Sequence, residues 1–197
     1  MKNKNIKNLV VIAMLSAIAT ILMYIDFPIA ISPSFMKLDF AELPVMIGAF
    51  TLGPVSGVLI AIVKILLKIV IKGSNTMFVG EVANLIGSIC YVLPASIIYS
   101  KHKTKKTALQ GMCIGTLITS VVCTISNYLF LFPTYMKLYG MSEESIIAMC
   151  RAINPYIDNM FKVMLLSVFP FNIIKYVFVS IVTYILYKNI SRFIKSI

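Results

Sequence analysis

Apolar residues fill this chain in long blocks, separated by short segments rich in proline, glycine or charge. The blocks are apolar on every helical face instead of along one stripe, which is typical of helices surrounded by lipid. The pattern predicts an all-α integral membrane protein that forms a six-helix transmembrane bundle with a short second span. The expected spans are residues 9–25, 44–52, 55–71, 82–99, 108–132 and 163–187.

The boundary between the second and third spans lies in the segment LGPVSG, inside an apolar region that runs from Leu43 to Ile71. Glycine ends helices readily, and a proline inside a helix loses a hydrogen bond and clashes with the preceding turn. We therefore expect a break at Gly53 and Pro54. The second span then covers about half of the hydrocarbon thickness at ~1.5 Å per residue, so neighbouring helices must cover its ends.

The distribution of charge favours six spans over five. With the break in place, all basic clusters lie on one side of the membrane, and the seven acidic residues lie on or near the other. Because lysine and arginine concentrate on the cytoplasmic side, both termini are predicted to be cytoplasmic. The clusters are Lys2, Lys4 and Lys7; Lys101, Lys103, Lys105 and Lys106; and Lys188, Arg192 and Lys195.

The outer connections are then residues 26–43, 72–80 and 133–162. The third is long enough to hold a short helix around residues 143–151. Long apolar loops with proline and phenylalanine on one face of a bundle are expected to form a lid over a site.

The amino-acid composition also distinguishes a membrane protein from a soluble one. Residues 1–197 are 59% hydrophobic and 13% charged, which indicates a single transmembrane domain in the cell membrane and not a soluble domain. The net charge of +11 resides largely in tails and one loop that face the lipid bilayer surface, and no aromatic residues alternate with the lysines, so no nucleic-acid partner is expected. The first apolar block is interpreted as a retained span because no small-residue cleavage motif follows it.

The residue pattern indicates neither a metal site nor a catalytic triad built on serine and histidine. The single histidine, His102, lies in the basic loop, and the cysteines have neither CxxC nor metal-type spacing. The cysteines are Cys90, Cys113, Cys123 and Cys150. No metal and no cofactor of the chain's own is predicted.

Five polar residues lie in the outer halves of three predicted spans. Glu81 and Asn84 open the fourth span one turn apart, Asn127 lies near the end of the fifth, and Asn172 and Lys175 begin the sixth. Polar groups at such depth are costly and usually face a bundle interior, a cavity or each other. We therefore expect an amphipathic pocket, open to the outside, for a flat heteroaromatic ligand with many hydrogen-bonding edges. The aromatic residues expected beside it are Tyr128, Phe169 and Phe171.

These residues also have structural interpretations. An asparagine in a membrane helix often bonds to a neighbouring helix, and Glu81 suits the positive end of a helix dipole. Lys64, Lys68 and Lys72 form one stripe along the third span, and the last two can extend to the outer head groups. The chain has no Walker A motif, which indicates a substrate-binding subunit that depends on a partner for energy.

Four segments carry a resemblance to a known family: FMKLDFAELPVMIGAFTLGPVSGVLIAIVKILL, VGEVANLIGSICYVLPASIIY, NYLFLFPTY and FPFNIIK. In this order they resemble the riboflavin-specific substrate-binding (S) component of energy-coupling factor (ECF) transporters. The resemblance implies capture of riboflavin on the outer face, without enzymatic activity. It also implies a membrane scaffold subunit and two cytoplasmic ATPase subunits as partners, with ATP hydrolysed by those subunits.

The same resemblance implies a set of functional positions. The small residues of the first span, Ala13 and Ala17, are similar to the pattern by which S components dock onto the scaffold, since small residues four apart let helices approach closely. Ile65 stands where the family pattern has asparagine, which argues against a ligand role for the third span. The implied riboflavin contacts are Leu38, Asp39, Glu81, Asn84, Asn127, Asn172 and Lys175.

In this interpretation Asn127, Asn172 and Lys175 read the carbonyl and ring-nitrogen edge of the flavin, and Glu81 and Asp39 accept from its ribityl hydroxyls. Lys175 is expected either to donate to a flavin carbonyl or to pair with Glu81. The alternatives are an S component for thiamin or flavin mononucleotide (FMN), a membrane enzyme acting on lipid head groups with Glu81 and Asp39 as acid and base, and a purely structural subunit.

Overall fold

The structure, a computed structural model, describes residues 2–29, 32, 36–74 and 76–196, and the side chains of residues 5–187 within those ranges. The predicted outer loops at 26–43 and 72–80 therefore lie partly outside the described residues, at positions 30–31, 33–35 and 75. The side chains of five residues from the basic clusters also lie outside the described part of the chain: Lys2, Lys4, Lys188, Arg192 and Lys195.

Helices account for most of the described chain. They are α1 (Lys2–Met23), α2 (Glu42–Leu52), α3 (Pro54–Lys72), α4 (Val79–Lys101), α5 (Lys105–Ser126), α6 (Phe132–Tyr139), α7 (Glu143–Arg151), α8 (Met160–Val163) and α9 (Phe169–Ser196). Two π-helical turns, Asn127–Leu131 and Met164–Val168, join α5 to α6 and α8 to α9. Between α1 and α2, the two-residue strands β1 (Phe27–Pro28) and β2 (Lys37–Leu38) pair antiparallel.

The fold is an all-α membrane bundle. Among the described residues, five segments are long and apolar enough to cross a membrane, and α2 is a shorter apolar helix. The five segments are Asn5–Met23, Pro54–Lys72, Val79–Lys101, Lys105–Tyr139 and Met160–Tyr187.

The short helix α2 lies inside the bundle. The chain turns at Gly53, whose φ of 99° is accessible to glycine at little cost, and Pro54 then opens α3 at a position where its missing N–H is not needed. The neighbours α1, α3, α4 and α9 all pack against α2. Phe50, with 1% exposure, contacts Tyr99 at a ring-centroid distance of 4.4 Å. Protein therefore covers a helix that is too short to span the membrane alone.

Helices α4 and α5 approach closely through two glycines one turn apart. A Cβ placed on Gly111 would lie 2.5 Å from the carbonyl oxygen of Ala95, and one on Gly115 would lie 2.5 Å from that of Tyr91. The GxxxG spacing therefore allows backbone-to-backbone contact between these membrane helices.

Each π-helical turn directly precedes a Phe-Pro pair. In the two turns, the N–H of Phe132 bonds to the carbonyl of Asn127, and that of Phe169 to the carbonyl of Met164, five residues back. Pro133 and Pro170 follow at once; a proline cannot donate to the carbonyl four residues back and clashes with it. The wider turn absorbs this conflict without breaking the helix.

A second apolar core caps one end of the bundle. Its residues come from α6, α7, the connection from α7 to α8, α8 itself and the second π turn: Phe132, Ile146, Cys150, Ile157, Met160, Val163, Met164 and Val168. Gly140 ends α6 in the left-handed conformation with a φ of 62°, and the hydroxyl of Ser142 accepts from the N–H of Ser145 to start α7. Residues 133–162 thus form a packed layer over the end where α4 and α9 begin.

Candidate ligand-binding site

A cavity of about 280 Å³ opens at the capped end of the bundle. It lies between the start of α4, the end of α5 and the start of α9, and Met36 and Lys37 close it from the β-hairpin side. Five of the sequence-predicted residues line it: Glu81, Asn84, Asn127, Asn172 and Lys175. Polar residues that are far apart in sequence therefore converge on one space.

The three asparagines share one hydrogen-bonding arrangement. Each donates a side-chain N–H to the carbonyl four residues earlier: Asn84 to Gly80 at 3.0 Å, Asn127 to Cys123 at 2.7 Å and Asn172 to Val168 at 2.9 Å. The bond fixes the amide group, and its Oδ1 and second N–H remain for a ligand. Within the described residues, no further protein partner of these amide groups is found.

Lys175 is held by Asp39. The Nζ atom of Lys175 lies 3.0 Å from Oδ2 of Asp39, and both residues are buried. Asp39 follows β2, and its Oδ1 accepts the N–H of Ala41 at 2.9 Å. Burial raises the pKa of Asp39, but the Lys175 charge and these hydrogen bonds outweigh it and hold the pKa below its usual value.

Asp39 and Leu38 do not themselves line the cavity. Leu38 is buried at 3% exposure, and both carboxylate oxygens of Asp39 already accept protein hydrogen bonds. The expected alternative pairing of Lys175 with Glu81 is wrong. Lys175 pairs with Asp39, and Glu81 pairs with Lys68. Asp39 therefore acts on the cavity through Lys175.

Glu81 is the centre of a second polar group at the cavity wall. One of its oxygens is ion-paired with Lys68, and the other accepts from the hydroxyls of Ser74 and Thr76, each at 2.8 Å. The connection between α3 and α4 is thereby folded onto Glu81. Next to it, Met77 and Phe78 both have positive φ, 47° and 68°, with exposed side chains. Such strained non-glycine positions persist only where their surroundings hold them.

The lysine stripe on α3 divides into three environments. Lys64 is fully buried: its Nζ lies 2.7 Å from Oε1 of Glu42 and 2.8 Å from the hydroxyl of Ser88. Lys68 lines the cavity, so α3 contributes to its wall, and the expectation drawn from Ile65 that α3 has no ligand role stays a prediction. Lys72 is exposed, with its Nζ 5.3 Å from the ring centroid of Tyr24. No sequence pattern indicated Glu42 as the partner of Lys64.

The aromatic wall differs from the prediction. Phe171 lines the cavity as expected, but Tyr128 is half exposed and borders a separate space, and Phe169 does not line the cavity. An adjoining apolar cavity of about 340 Å³ shares Thr76, Phe132 and Tyr135 with the first and extends towards α7. The aromatic residues of the main cavity are Phe132, Tyr135, Phe171 and Tyr176.

Two further predictions concern other parts of the chain. Ala13 and Ala17 are exposed on α1, and none of the described side chains of α1 lines the cavity. In the described residues, no group of three or more histidine, cysteine or acidic residues is placed to hold a metal ion.

Comparison with known proteins identifies the family. A family model described as "ECF transporter, substrate-specific component" matches residues 7–187. The chain belongs to this family. Its members are membrane-embedded transporter components and not enzymes, and this chain is a multi-pass membrane protein of that class.

Individual relatives agree with the family match. The chain is 35% identical over 192 residues to riboflavin transporter RibU of Staphylococcus aureus, covering 97% of this chain and 94% of the relative. It is 28% identical over 191 residues to riboflavin transporter FmnP of Bacillus subtilis, covering 96% and 95%. A solved structure described as "Structure and mechanism of the S component of a bacterial ECF transporter" superposes with a TM-score of 0.74 at 35% identity, covering 99% of each chain.

Proposed function

We propose that this protein is the riboflavin-capturing S component of an ECF transporter, binding the vitamin on the extracellular side for uptake. The observation that carries the proposal is the convergence of three pre-positioned amides and Lys175 on one cavity. Relatives covering nearly the whole chain are named riboflavin transporters, which supports this choice of ligand.

The polar edge of riboflavin suits these side chains. Its pyrimidine ring alternates carbonyl acceptors with an N–H donor, and a fixed amide offers both an acceptor and a donor. Because Asn127 and Asn172 are each held by a bond to their own helix, little side-chain entropy is lost when the ligand binds. A site of this kind discriminates strongly against ligands that lack the matching groups.

Lys175 contributes donors without an unbalanced charge. Riboflavin is neutral, and a buried ammonium without a counter-ion would be costly. Asp39 neutralises it and occupies one N–H of Nζ, which leaves two for a ligand carbonyl and other partners. In this proposal Leu38 and Asp39 belong to the site by closing the first outer connection over it and by orienting Lys175.

The second polar group suits the ribityl chain. Glu81 and Asn84 lie at the cavity wall with Thr76, and hydroxyl groups can exchange bonds with the carboxylate and amide there. The rings of Phe132, Tyr135 and Tyr176 offer surfaces for the flat ring system, and the adjoining apolar cavity offers space for its methylated end.

A phosphorylated flavin suits the cavity less well. The lysines that line it are each paired with a carboxylate in the described structure: Lys37 with Asp26, Lys68 with Glu81 and Lys175 with Asp39. A phosphate would therefore meet lysines whose charge is already balanced by a carboxylate, and it would lie close to that carboxylate's negative charge. This favours riboflavin over FMN as the preferred ligand.

Energy for uptake comes from partners in this proposal. The chain docks through the exposed Ala13 and Ala17 face of α1 onto a membrane scaffold subunit, and two cytoplasmic ATPase subunits hydrolyse ATP. Both termini and the Lys101–Lys106 loop are cytoplasmic. The capped end of the bundle faces outward.

The test is a titration of riboflavin fluorescence with purified protein and point variants. Asn172→Ala and Lys175→Ala are each expected to weaken binding more than about tenfold, because each leaves a ligand group without its partner. The matched controls are Gln110→Ala and Lys106→Ala, which change exposed residues outside the cavity. Unchanged affinity in both pocket variants would contradict the site, and no binding by the wild type would contradict the ligand.

A further inference from the structure

The sides of α5 and α9 that face away from the bundle interior enclose an apolar groove, which is separate from the ligand cavity. Its volume is about 390 Å³. Leu117 and Ile181 at its rim are 58% and 53% exposed. Since both helices cross the membrane, the groove opens towards lipid. Its main lining residues are Leu109, Cys113, Leu117, Val177, Ile181 and Tyr184.

The length of the groove matches one leaflet of a bilayer. Along α5 it runs from Leu109 to Leu117, and along α9 from Ile173 to Tyr184. At ~1.5 Å per residue these stretches rise about 12 and about 16 Å. Half of the hydrocarbon core is about 15 Å thick, so the groove extends from one membrane surface to the middle.

The surface end of the groove is strongly basic. The Nζ atom of Lys105 lies 4.0 Å from the ring centroid of Tyr184, which lines the groove. Lys101 at the end of α4, Lys103 in the connection and Lys106 at the start of α5 are also exposed. In the described structure none of these four lysines forms an ion pair with a carboxylate.

We propose that this groove binds one anionic phospholipid. An acyl chain fills the apolar channel, and the phosphate and anionic head group lie against the lysines of residues 101–106. The charge complementarity selects the occupant, since basic sites between membrane helices on the cytoplasmic side attract anionic head groups. Tyr184 joins the two parts because it lines the channel and contacts Lys105. The proposal is independent of the ligand in the cavity.

The chain contains no tryptophan, so Ile181→Trp and Ile185→Trp each introduce a single fluorescent reporter. Both positions are exposed on α9, but only Ile181 lines the groove. The protein is placed in phosphatidylcholine nanodiscs with increasing amounts of dibrominated phosphatidylglycerol, which quenches tryptophan on contact. We expect quenching in Ile181→Trp at a fraction of brominated lipid at least about fivefold lower than in Ile185→Trp. Dibrominated phosphatidylcholine should quench both reporters alike.

The head-group part is tested by replacing Lys101, Lys103, Lys105 and Lys106 with glutamine in both reporters. The preference of Ile181→Trp for phosphatidylglycerol should disappear, and Ile185→Trp should not change. Identical quenching curves for the two reporters, or a preference that survives loss of the lysines, would overturn the proposal. A third outcome would also overturn it: if neither brominated lipid reaches Ile181→Trp, the groove holds something other than lipid. Leu117→Trp, on the opposite wall, repeats the test should Ile181→Trp fail to fold.

Discussion

Replacing Lys64 by methionine removes the cation from a buried ion pair beneath the ligand cavity. Lys64 and Ser88 each lie one helical turn deeper than the cavity residues Lys68 and Asn84. The exposed fractions of the Lys64 and Glu42 side chains are only 1% and 3%. Methionine keeps most of the side-chain volume, so the variant isolates the effect of charge.

The size of the effect can be worked out from the geometry. At the observed 2.7 Å between Nζ and Oε1, two unit charges attract each other by about 6 kcal/mol at an effective dielectric constant of about 20. Desolvation of both ions offsets most of that attraction, so the intact pair contributes little net stability. Removing one partner leaves Glu42 buried and uncompensated, with only Ser88 to donate to it, which costs about 3–5 kcal/mol.

Buried cysteines allow thermal unfolding of the Lys64→Met variant to be measured. Cys123 and Cys150 are buried, so with the more accessible Cys90 and Cys113 replaced by serine, a dye that becomes fluorescent on reacting with thiols reports thermal unfolding of detergent-solubilised protein. Taking about 2–4 °C per kcal/mol for a chain of this size, Lys64→Met should lower the Tm by about 6–20 °C. The double variant Glu42→Gln/Lys64→Met should recover most of the loss, because no buried charge remains.

The matched control is Lys72→Met, on the same helix but exposed, where the loss is a cation–π contact worth about 0.5–1 kcal/mol. If Lys64→Met costs no more than Lys72→Met, the pair is not ionised and buried as described. If the double variant is as unstable as the sum of its single variants, Glu42 and Lys64 do not act together.

Three further predictions concern other contacts. The pKa of Asp39 is lower in the folded protein than in the unfolded chain. The ionised carboxylate therefore stabilises the fold fully above the unfolded pKa of about 3.9, and this stabilisation is lost as the pH falls through the folded pKa. The Tm difference between wild type and Asp39→Asn should be constant from pH 8 to about pH 5 and shrink below about pH 4. Gly115→Val should lower stability by at least about 2 kcal/mol because the added carbon meets the Tyr91 carbonyl, whereas Ile114→Val, on the lipid-facing side, should change it by less than about 1 kcal/mol. FMN should bind at least about tenfold more weakly than riboflavin in a competition titration, and equal affinity would show that the cavity does provide a cation for the phosphate.

The polar residues of the cavity could be predicted from sequence because a membrane makes them conspicuous. Asn127 and Asn172 lie in apolar stretches, where burying an amide costs free energy. Both lie in the outer halves of their predicted spans, so they are expected at a similar depth in the membrane. The helix break at Gly53 could be predicted for a similar reason, since few sequences other than Gly-Pro give such a clear local signal.

The partners of the buried charges could not be predicted in the same way. Glu42 and Lys64 lie 22 residues apart on different helices, and their contact depends on how α2 turns back against α3. The periodicity of apolar residues shows which face of a helix is buried, but it does not show how a neighbouring helix is rotated towards that face. The alternative pairing of Lys175 with Glu81 is wrong for this reason.

The position of Tyr135 in the aromatic wall depends on the first π-helical turn. Tyr128 and Tyr135 are seven residues apart and would share one face of a regular α-helix. The π turn at Asn127–Leu131 contains an extra residue, which rotates α6 relative to α5. Tyr135 lines the cavity after this turn, whereas Tyr128, directly after the cavity residue Asn127, is half exposed. No sequence pattern marked this turn, so Tyr135 could not be predicted as a cavity residue from the sequence.

The central claim is that the cavity captures riboflavin, and the most direct measurement is the absorption and fluorescence spectrum of the protein purified in mild detergent from riboflavin-containing medium. We predict a flavin absorption spectrum in near-equal amount to protein, with quenched emission because the ring system lies against aromatic side chains. Asn172→Ala purified in parallel should carry much less flavin. Colourless wild-type protein that also fails to quench added riboflavin would contradict the account.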